Sequence, residues 1–196
     1  MRNRKILTAV TIVIAMTGIY SCLDSRAKDE KPKPITQEEK VKRGEYLVSS
    51  IGCDDCHSPK KLGPNGEPEV ISELRLSGYP SSRSIQKPDS NVIKQGWMLF
   101  GTDLTSAAGP WGMSFAANLT SDASGIGNWT EDQFVYAIRK GKLKGLENSR
   151  AILPPMPWFV YRNLTDDDLK SIFAYLKTVP AVANVVPGPK QVADIR

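Results

Sequence analysis

The feature that most constrains this chain is the pentapeptide Cys53-Asp54-Asp55-Cys56-His57. Two thiols placed three residues apart on a helical turn can each add to one vinyl group of the same porphyrin. The residue that follows the second thiol then points its imidazole at the iron. The motif therefore predicts one covalently bound haem c, attached through Cys53 and Cys56, with His57 as an axial ligand of the iron.

Three other interpretations of these residues stay open at the level of sequence. A thioredoxin-like dithiol lies between a strand and a helix, whereas here a helix is predicted before the motif. A structural zinc site needs four ligands, and Cys53, Cys56 and His57 lie too close together to supply a tetrahedron alone. A plain Cys53–Cys56 disulfide would leave His57 without a role.

The helices are predicted from their start signals. Thr36-Gln37-Glu38-Glu39 is a capping box, and a helix from there should end at Gly52. Thr130 and Thr165 open two further helices, the second of which cannot extend through Pro180. The residues expected on the buried faces of the three helices follow at helical spacing: Val41, Gly44, Leu47, Val48 and Ile51; Phe134 and Ile138; Leu169, Ile172, Phe173 and Leu176.

The stretch 62–128 is different, because it is rich in Gly, Pro, Ser and Asn and shows little helical periodicity. Short strands are predicted at 97–100 and 114–119, paired with each other. An irregular segment of this length inside one domain usually has a function or wraps around another part of the molecule.

The order of these features resembles the class I c-type cytochromes, in which a glycine of the first helix receives an aromatic residue of the last. Gly44 and Tyr175 match that pair. Over residues 36–188 the chain resembles, more narrowly, the cytochrome subunits that serve bacterial periplasmic dehydrogenases. The segments that carry this resemblance are Ala117-Asn118-Leu119-Thr120, Gly125-Ile126-Gly127 with Trp129, and Pro155-Met156-Pro157-Trp158 with Tyr161.

The resemblance implies an all-α fold of the class I cytochrome c type. Its helices would surround one covalent haem, and a long irregular insertion would leave room for a short β-hairpin. It also implies that the Pro64 carbonyl accepts the Nδ1 proton of His57, and that Trp158 and Tyr161 line the porphyrin and donate to its propionates. An ordinary turn at Pro64 and ordinary core positions for the two aromatics are the alternatives.

The second axial ligand is expected to be a thioether, because the chain has a single histidine. Met156 lies between two prolines just before the last helix, where the class I family places its ligand. Met113 is the alternative ligand, and Met98 is expected in the core. Lys140, Lys142 and Lys144 are interpreted as a solvated helix end rather than a docking face.

The N-terminus resembles an export signal. A basic start and an apolar run over 6–20 precede Ser21-Cys22, which resembles a bacterial lipobox. We expect a periplasm-facing lipoprotein of the bacterial cell envelope, anchored to a membrane by lipid on Cys22. The expected segments are a signal peptide (1–21), a flexible charged tether (22–35), a monohaem domain (36–188) and a C-terminal tail (189–196).

Composition narrows the function further. From Cys22 onward the chain has 23 basic and 21 acidic residues in an even mixture, which argues against nucleic-acid binding. The sequence predicts a single-electron carrier, not an enzyme, between a periplasmic or membrane dehydrogenase and an oxidase or another cytochrome. The alternatives are a haem-based ligand sensor or peroxidase-like enzyme with an open sixth position, and a structural lipoprotein with a cystine.

Overall fold

The computed structural model describes residues 35–195. The expected signal peptide, Cys22 and the tether through residue 34 lie outside this range. Among the described residues, none of the helices has the length and apolar character needed to cross a membrane.

The described residues form six α-helices, α1 (Gln37–Ser50), α2 (Cys53–His57), α3 (Ser90–Lys94), α4 (Glu131–Lys140), α5 (Trp158–Tyr161) and α6 (Asp166–Leu176). Five strands accompany them: β1 (Lys60–Leu62), β2 (Pro68–Val70), β3 (Leu99–Phe100), β4 (Ser106–Gly109) and β5 (Gly112–Phe115). Short 3-10 turns lie at Ser72–Leu74, Leu143–Gly145 and Val192–Asp194.

The three helix starts predicted from the sequence are confirmed. The Thr36 hydroxyl accepts the Glu39 backbone N–H at 3.2 Å, and the Glu39 carboxylate accepts the Thr36 N–H at 2.8 Å. Thr130 and Thr165 cap α4 and α6 in the same way, each at 3.1 Å from the N–H three residues on. These contacts satisfy backbone donors that the first helical turn leaves without partners.

The main core lies where α1, α4 and α6 meet. A Cβ atom on Gly44 would collide with the Ser171 carbonyl oxygen and lie 2.7 Å from the Cβ of Tyr175, so α1 and α6 cross in direct contact. The predicted pairing of Gly44 with Tyr175 is therefore confirmed. The buried residues of this core are Leu47, Val48, Leu76, Ile126, Phe134, Ile138, Leu169, Ile172, Phe173, Tyr175, Leu176 and Val179.

The expectation of an all-α fold needs correction, because residues 60–115 contain two small antiparallel sheets. One is the β1–β2 hairpin, and the other has the order β3-β4-β5. Strands were predicted close to β3 and β5, but their direct pairing is wrong, since each pairs with β4 instead. The Ser-Ala-Ala-Gly sequence of β4 gives little strand signal, because small residues have low strand propensity and all four are buried.

A second, smaller cluster lies beside this sheet and consists of Ile93, Ala108, Met113 and Ile195. The C-terminal segment returns to it, since Lys190 and Met113 exchange two backbone hydrogen bonds of 3.1 and 2.7 Å. Residues expected to form a tail therefore pack against β5. Met98, expected in the core, is 43% exposed, whereas its strand neighbour Leu99 packs on the second cluster.

Candidate haem-binding site

The motif cysteines lie on a single helical turn. Gly52 adopts a left-handed conformation with φ 79°, which lets the chain leave α1 and begin α2 one residue later. Cys53 and Cys56 are three residues apart on α2 and therefore lie on the same face. Both are half-buried free thiols, and Cys53 packs against the main core.

Both motif thiols have a pKa above the usual value. Burial raises the pKa of Cys53 to about 12, and the Asp54 and Asp55 carboxylates add to the effect. Burial likewise raises the pKa of Cys56. A reactive dithiol of the thioredoxin kind has the opposite shift, to a lowered pKa.

The described residues also bear on the zinc and disulfide alternatives. Within residues 35–195, no group of three or more His, Cys, Asp and Glu side chains is arranged to hold a metal ion. Cys53 and Cys56 remain separate thiols there.

The ring of His57 has a fixed orientation. Its Nδ1 lies 2.7 Å from the carbonyl oxygen of Ala117. A carbonyl only accepts, so Nδ1 carries the proton and the lone pair of the neutral ring is on Nε2. Burial lowers the pKa of His57, and this effect outweighs the Ala117 carbonyl, which raises it. The lowered pKa favours the neutral ring. Such a ring is prepared to bind a metal through Nε2.

The expected acceptor for this proton was Pro64, and that assignment is corrected. Pro64 is exposed in the turn between β1 and β2, whereas the acceptor, Ala117, lies 60 residues beyond His57. Pro64 therefore has the ordinary turn position that was the alternative.

The Ala117 carbonyl is held in place by the chain segment that contains Gly78. The N–H of Gly78 donates to the His57 carbonyl at 2.8 Å, and the Tyr79 N–H donates to the Ala116 carbonyl at 3.0 Å. Gly78 has φ 77°, and a Cβ there would lie 2.6 Å from the carbonyl carbon of Ala117. Only a glycine allows this approach.

Asn118, the next residue after Ala117, is held by hydrogen bonds of its side chain. Its side chain is buried; it donates to the Val182 carbonyl at 2.8 Å and accepts the Thr120 N–H at 2.9 Å. The segment Ala117-Asn118-Leu119-Thr120 carried part of the family resemblance, but no side chain in it indicates that the Ala117 carbonyl is the acceptor.

The two candidate thioether ligands lie in different parts of the molecule. Met156 is half-buried and packs against the main core, as do Cys53 and Trp129. Met113 is 7% exposed and belongs to the second cluster. The loop that carries Met156 is also tied to the sheet, because the Ser114 hydroxyl donates to the Pro154 carbonyl at 2.6 Å.

Trp158 and Tyr161, the two aromatic residues expected to line the porphyrin, make different contacts. The Tyr161 hydroxyl donates to the Ile51 carbonyl at 2.7 Å, which joins α5 to the backbone just before the motif. This bond differs from the expected donation to a propionate. Trp158 is half-buried and packs so closely on Gly141 that a Cβ there would collide with the indole ring.

Two charged residues that the sequence analysis did not single out hold the motif. Arg75 donates to both carboxylate oxygens of Asp54, from Nε at 3.0 Å and from Nη2 at 2.6 Å. Lys60 donates to the backbone carbonyls of Asp54, Asp55 and Ser58 at 3.1, 2.7 and 2.9 Å, which caps the end of α2. Its fourth bond, 3.2 Å to the Asp103 carbonyl, joins α2 to the insertion. The sequence feature that could have indicated the Arg75 contact is the acidic residue Asp54 inside the motif, since a partly buried acid calls for a basic partner.

Comparison with known proteins places this site in a family context. No protein-family model matches the chain. The cytochrome subunit of fructose dehydrogenase from Gluconobacter japonicus is 28% identical over 185 residues, which is 93% of this chain and 29% of that protein. The gluconate 2-dehydrogenase cytochrome c subunit of Pantoea cypripedii is 30% identical over 136 residues, 69% of this chain and 22% of that protein.

A third relative is the cytochrome c subunit of the quinone alcohol dehydrogenase from Gluconobacter oxydans, 27% identical over 139 residues, 70% of this chain and 21% of that protein. The chain thus spans less than a third of the length of the curated relatives that it matches. It is homologous to cytochrome c subunits of bacterial dehydrogenases, which confirms the resemblance drawn from its motifs.

Proposed function

We propose that this chain is a single-electron carrier, a monohaem c-type cytochrome whose haem is attached through Cys53 and Cys56. The observation that carries the proposal is the helical turn α2, which carries the Cys53 and Cys56 thiols directly before His57, whose Nδ1 is bonded to the Ala117 carbonyl. Each thiol would add its S–H across one vinyl C=C of the haem, which would form a C–S bond and place the hydrogen on the other carbon, so the attachment would need no oxidant.

Nε2 of His57 and the thioether sulfur of Met156 would hold the iron of this haem. The bound haem contributes the reversible one-electron chemistry of its iron. The Ala117 carbonyl orients the imidazole and raises its basicity, since it holds the Nδ1 proton. A neutral thioether favours ferrous iron, so the pair His57 and Met156 would give a relatively high reduction potential.

The proposed partners are redox proteins. One electron would enter from a periplasmic or membrane dehydrogenase and one would leave to an oxidase or another cytochrome. The relatives named as subunits of fructose, gluconate and alcohol dehydrogenases support a dehydrogenase donor. The chain by itself would catalyse no substrate reaction. A lipid on Cys22 would hold it at the envelope membrane, with residues 22–35 as the tether.

The test is a visible spectrum of the full chain, produced in a bacterial host that attaches c-type haem. We expect a haem absorption band that survives denaturation and acid-acetone extraction. The double variant Cys53→Ala, Cys56→Ala should lose it. Cys22→Ser is the matched control, because it should keep the bound haem while moving the protein from the membrane fraction to the soluble one. Haem that is extracted from the unmodified protein, or no haem at all, would refute the proposal.

A further inference from the structure

The acid that follows the first motif cysteine has its own counter-charge. The Asp54 carboxylate is 22% exposed and receives two hydrogen bonds from the Arg75 guanidinium, at 2.6 and 3.0 Å. Ser58 adds a third donor at 2.6 Å. A bidentate pair of this kind is more directional than a single contact, and partial burial protects it from screening by salt.

Arg75 is itself held by a residue of the last helix, α6. Its Nη1 donates to the Tyr175 hydroxyl at 2.6 Å, and the guanidinium lies 5.9 Å from the centre of that ring. Tyr175 is the residue that packs against Gly44, so the Arg75 side chain is fixed by the contact between the first and last helices. The guanidinium cannot swing away from Asp54 without losing both partners.

The pair lies next to the proposed iron ligand. Asp54 and His57 are three residues apart on α2, and residues at this spacing are neighbours on a helix surface, with Cβ atoms about 5–6 Å apart. A negative charge beside the ligand of a bound iron favours the more positive, oxidised state of the iron, and a positive charge favours the reduced state. The second acid of the motif, Asp55, is exposed, so water screens its charge more strongly.

We propose that Arg75 cancels the charge of Asp54 beside the haem-attachment turn and thereby sets the reduction potential of the iron. This inference rests on the proposed function, since it needs a haem on α2. Arg75 and Asp54 would act on the iron through the surroundings of its ligand His57 and not by contact with the iron, so they are positioning residues. Without Arg75, the carboxylate would stabilise the oxidised protein and lower the potential. Without Asp54, the guanidinium would raise it.

The test is a spectroelectrochemical titration of the haem-loaded full chain and its variants. Arg75→Gln should lower the midpoint potential, and Asp54→Asn should raise it. The double variant should return close to the wild-type value, and Arg75→Lys should stay near it because the charge is kept. Opposite shifts that cancel would not arise from a purely structural role, since loosening the turn moves the potential in the same direction in both single variants.

Two matched controls isolate the position of the charge. Arg43→Gln removes the same charge from another arginine–aspartate pair, in which Nε lies 2.9 Å from Asp168 on the surface of α1 and α6. Asp55→Asn removes the exposed acid of the same turn. Both should shift the potential less than the corresponding variant of the pair. If Arg75→Gln does not accumulate, Asp54→Asn and the double variant still give the rise and its cancellation.

Several outcomes would overturn the inference. They are equal potentials in all variants, shifts of the same sign in Arg75→Gln and Asp54→Asn, or an Arg43→Gln shift as large as that of Arg75→Gln. In each of these cases the wild-type protein still carries covalent haem, so only the inference fails. A wild-type protein without covalent haem would overturn the proposed function together with the inference.

Discussion

The helical core and the inserted sheet are stabilised by different kinds of contact. Large apolar side chains at helical spacing fill the core between α1, α4 and α6. The inserted sheet packs on a second cluster of four buried residues, one of which, Ile195, comes from the C-terminal segment, and its central strand β4 is built from Ser, Ala and Gly. The buried polar residues of the insertion include Asp103 and Thr105, and the Asp103 carboxylate pairs with Arg83 at 2.7 Å.

The candidate site depends on both regions. The main core supplies the apolar contacts of Cys53 and Met156. The irregular part of the chain supplies the Ala117 carbonyl, the Lys60 contact to Asp103 and the Ser114 bond to the Met156 loop. Apolar packing thus provides the low-dielectric surroundings of the site, and specific hydrogen bonds provide its orientation.

The largest effect is expected from a substitution at the helix crossing. Gly44→Ala places a Cβ against the Ser171 carbonyl and the Tyr175 side chain, and backbone atoms cannot move aside as a flexible side chain can. Overpacking of this kind should lower the free energy of unfolding by about 3 kcal/mol. Guanidinium unfolding of the haem-loaded chain would measure the loss.

Gly188→Ala is the control for this prediction, because a Cβ there meets no atom within 4 Å. We expect it to change the free energy of unfolding by less than about 0.5 kcal/mol. A Gly44→Ala protein as stable as Gly188→Ala would show that α1 and α6 separate without cost, contrary to the crossing described above.

The same contrast explains what the sequence could predict. Thr36 and Thr165 each begin a capping pattern that occupies only four consecutive residues, and the apolar residues after them recur at helical spacing. Both helix starts could therefore be predicted from the sequence. The role of Ala117 could not be predicted, because any residue has a carbonyl and this one meets His57 across 60 residues. β4 was missed since its buried face carries methyl groups and hydroxyls instead of large apolar side chains.

Smaller effects are expected from substitutions of Met156, which packs on the main core, and of Met113, which belongs to the second cluster. Met156→Ala should open the sixth position of the iron, so that the reduced protein becomes high-spin, binds carbon monoxide rapidly and has a lower potential, with its thioether links intact. Met113→Ala should leave the spectrum unchanged. It should instead lower the free energy of unfolding by about 2 kcal/mol, because a buried side chain of the second cluster is removed.

Absorption spectra, carbon monoxide binding and chemical unfolding of both variants would make the comparison. If Met113→Ala opened the iron and Met156→Ala did not, the two assignments would be exchanged. Rapid carbon monoxide binding by the unmodified protein would favour the ligand sensor or peroxidase-like enzyme over the electron carrier.

The smallest effect is expected at acid pH, in the insertion. Burial of the Asp103 carboxyl raises its pKa, but hydrogen bonds from Thr105 and Arg83 outweigh burial and hold the pKa below its usual value. The unfolded chain takes up this proton near pH 4, at about the ordinary pKa of aspartate, whereas the folded chain takes it up at a lower pH. The charged carboxylate therefore stabilises the fold above about pH 4, and this contribution is lost as the pH falls through the lowered pKa.

Hydrogen exchange, with each rate compared with the intrinsic rate at the same pH, would locate this loss. Protection of the amides of β4 and β5 should fall before that of α1 and α6. Glu39 and Asp168 of the helices also have lowered pKa values, but α1 and α6 keep a large apolar core when these acids take up protons, whereas the sheet has only the small second cluster beside the Asp103 contacts. Asp103→Asn should weaken the sheet at neutral pH and remove the difference between neutral and acid pH there, with little change in the helices. Equal loss of protection in both regions would mean that sheet and helices unfold as one cooperative unit, and that their different contacts have no separate thermodynamic consequence.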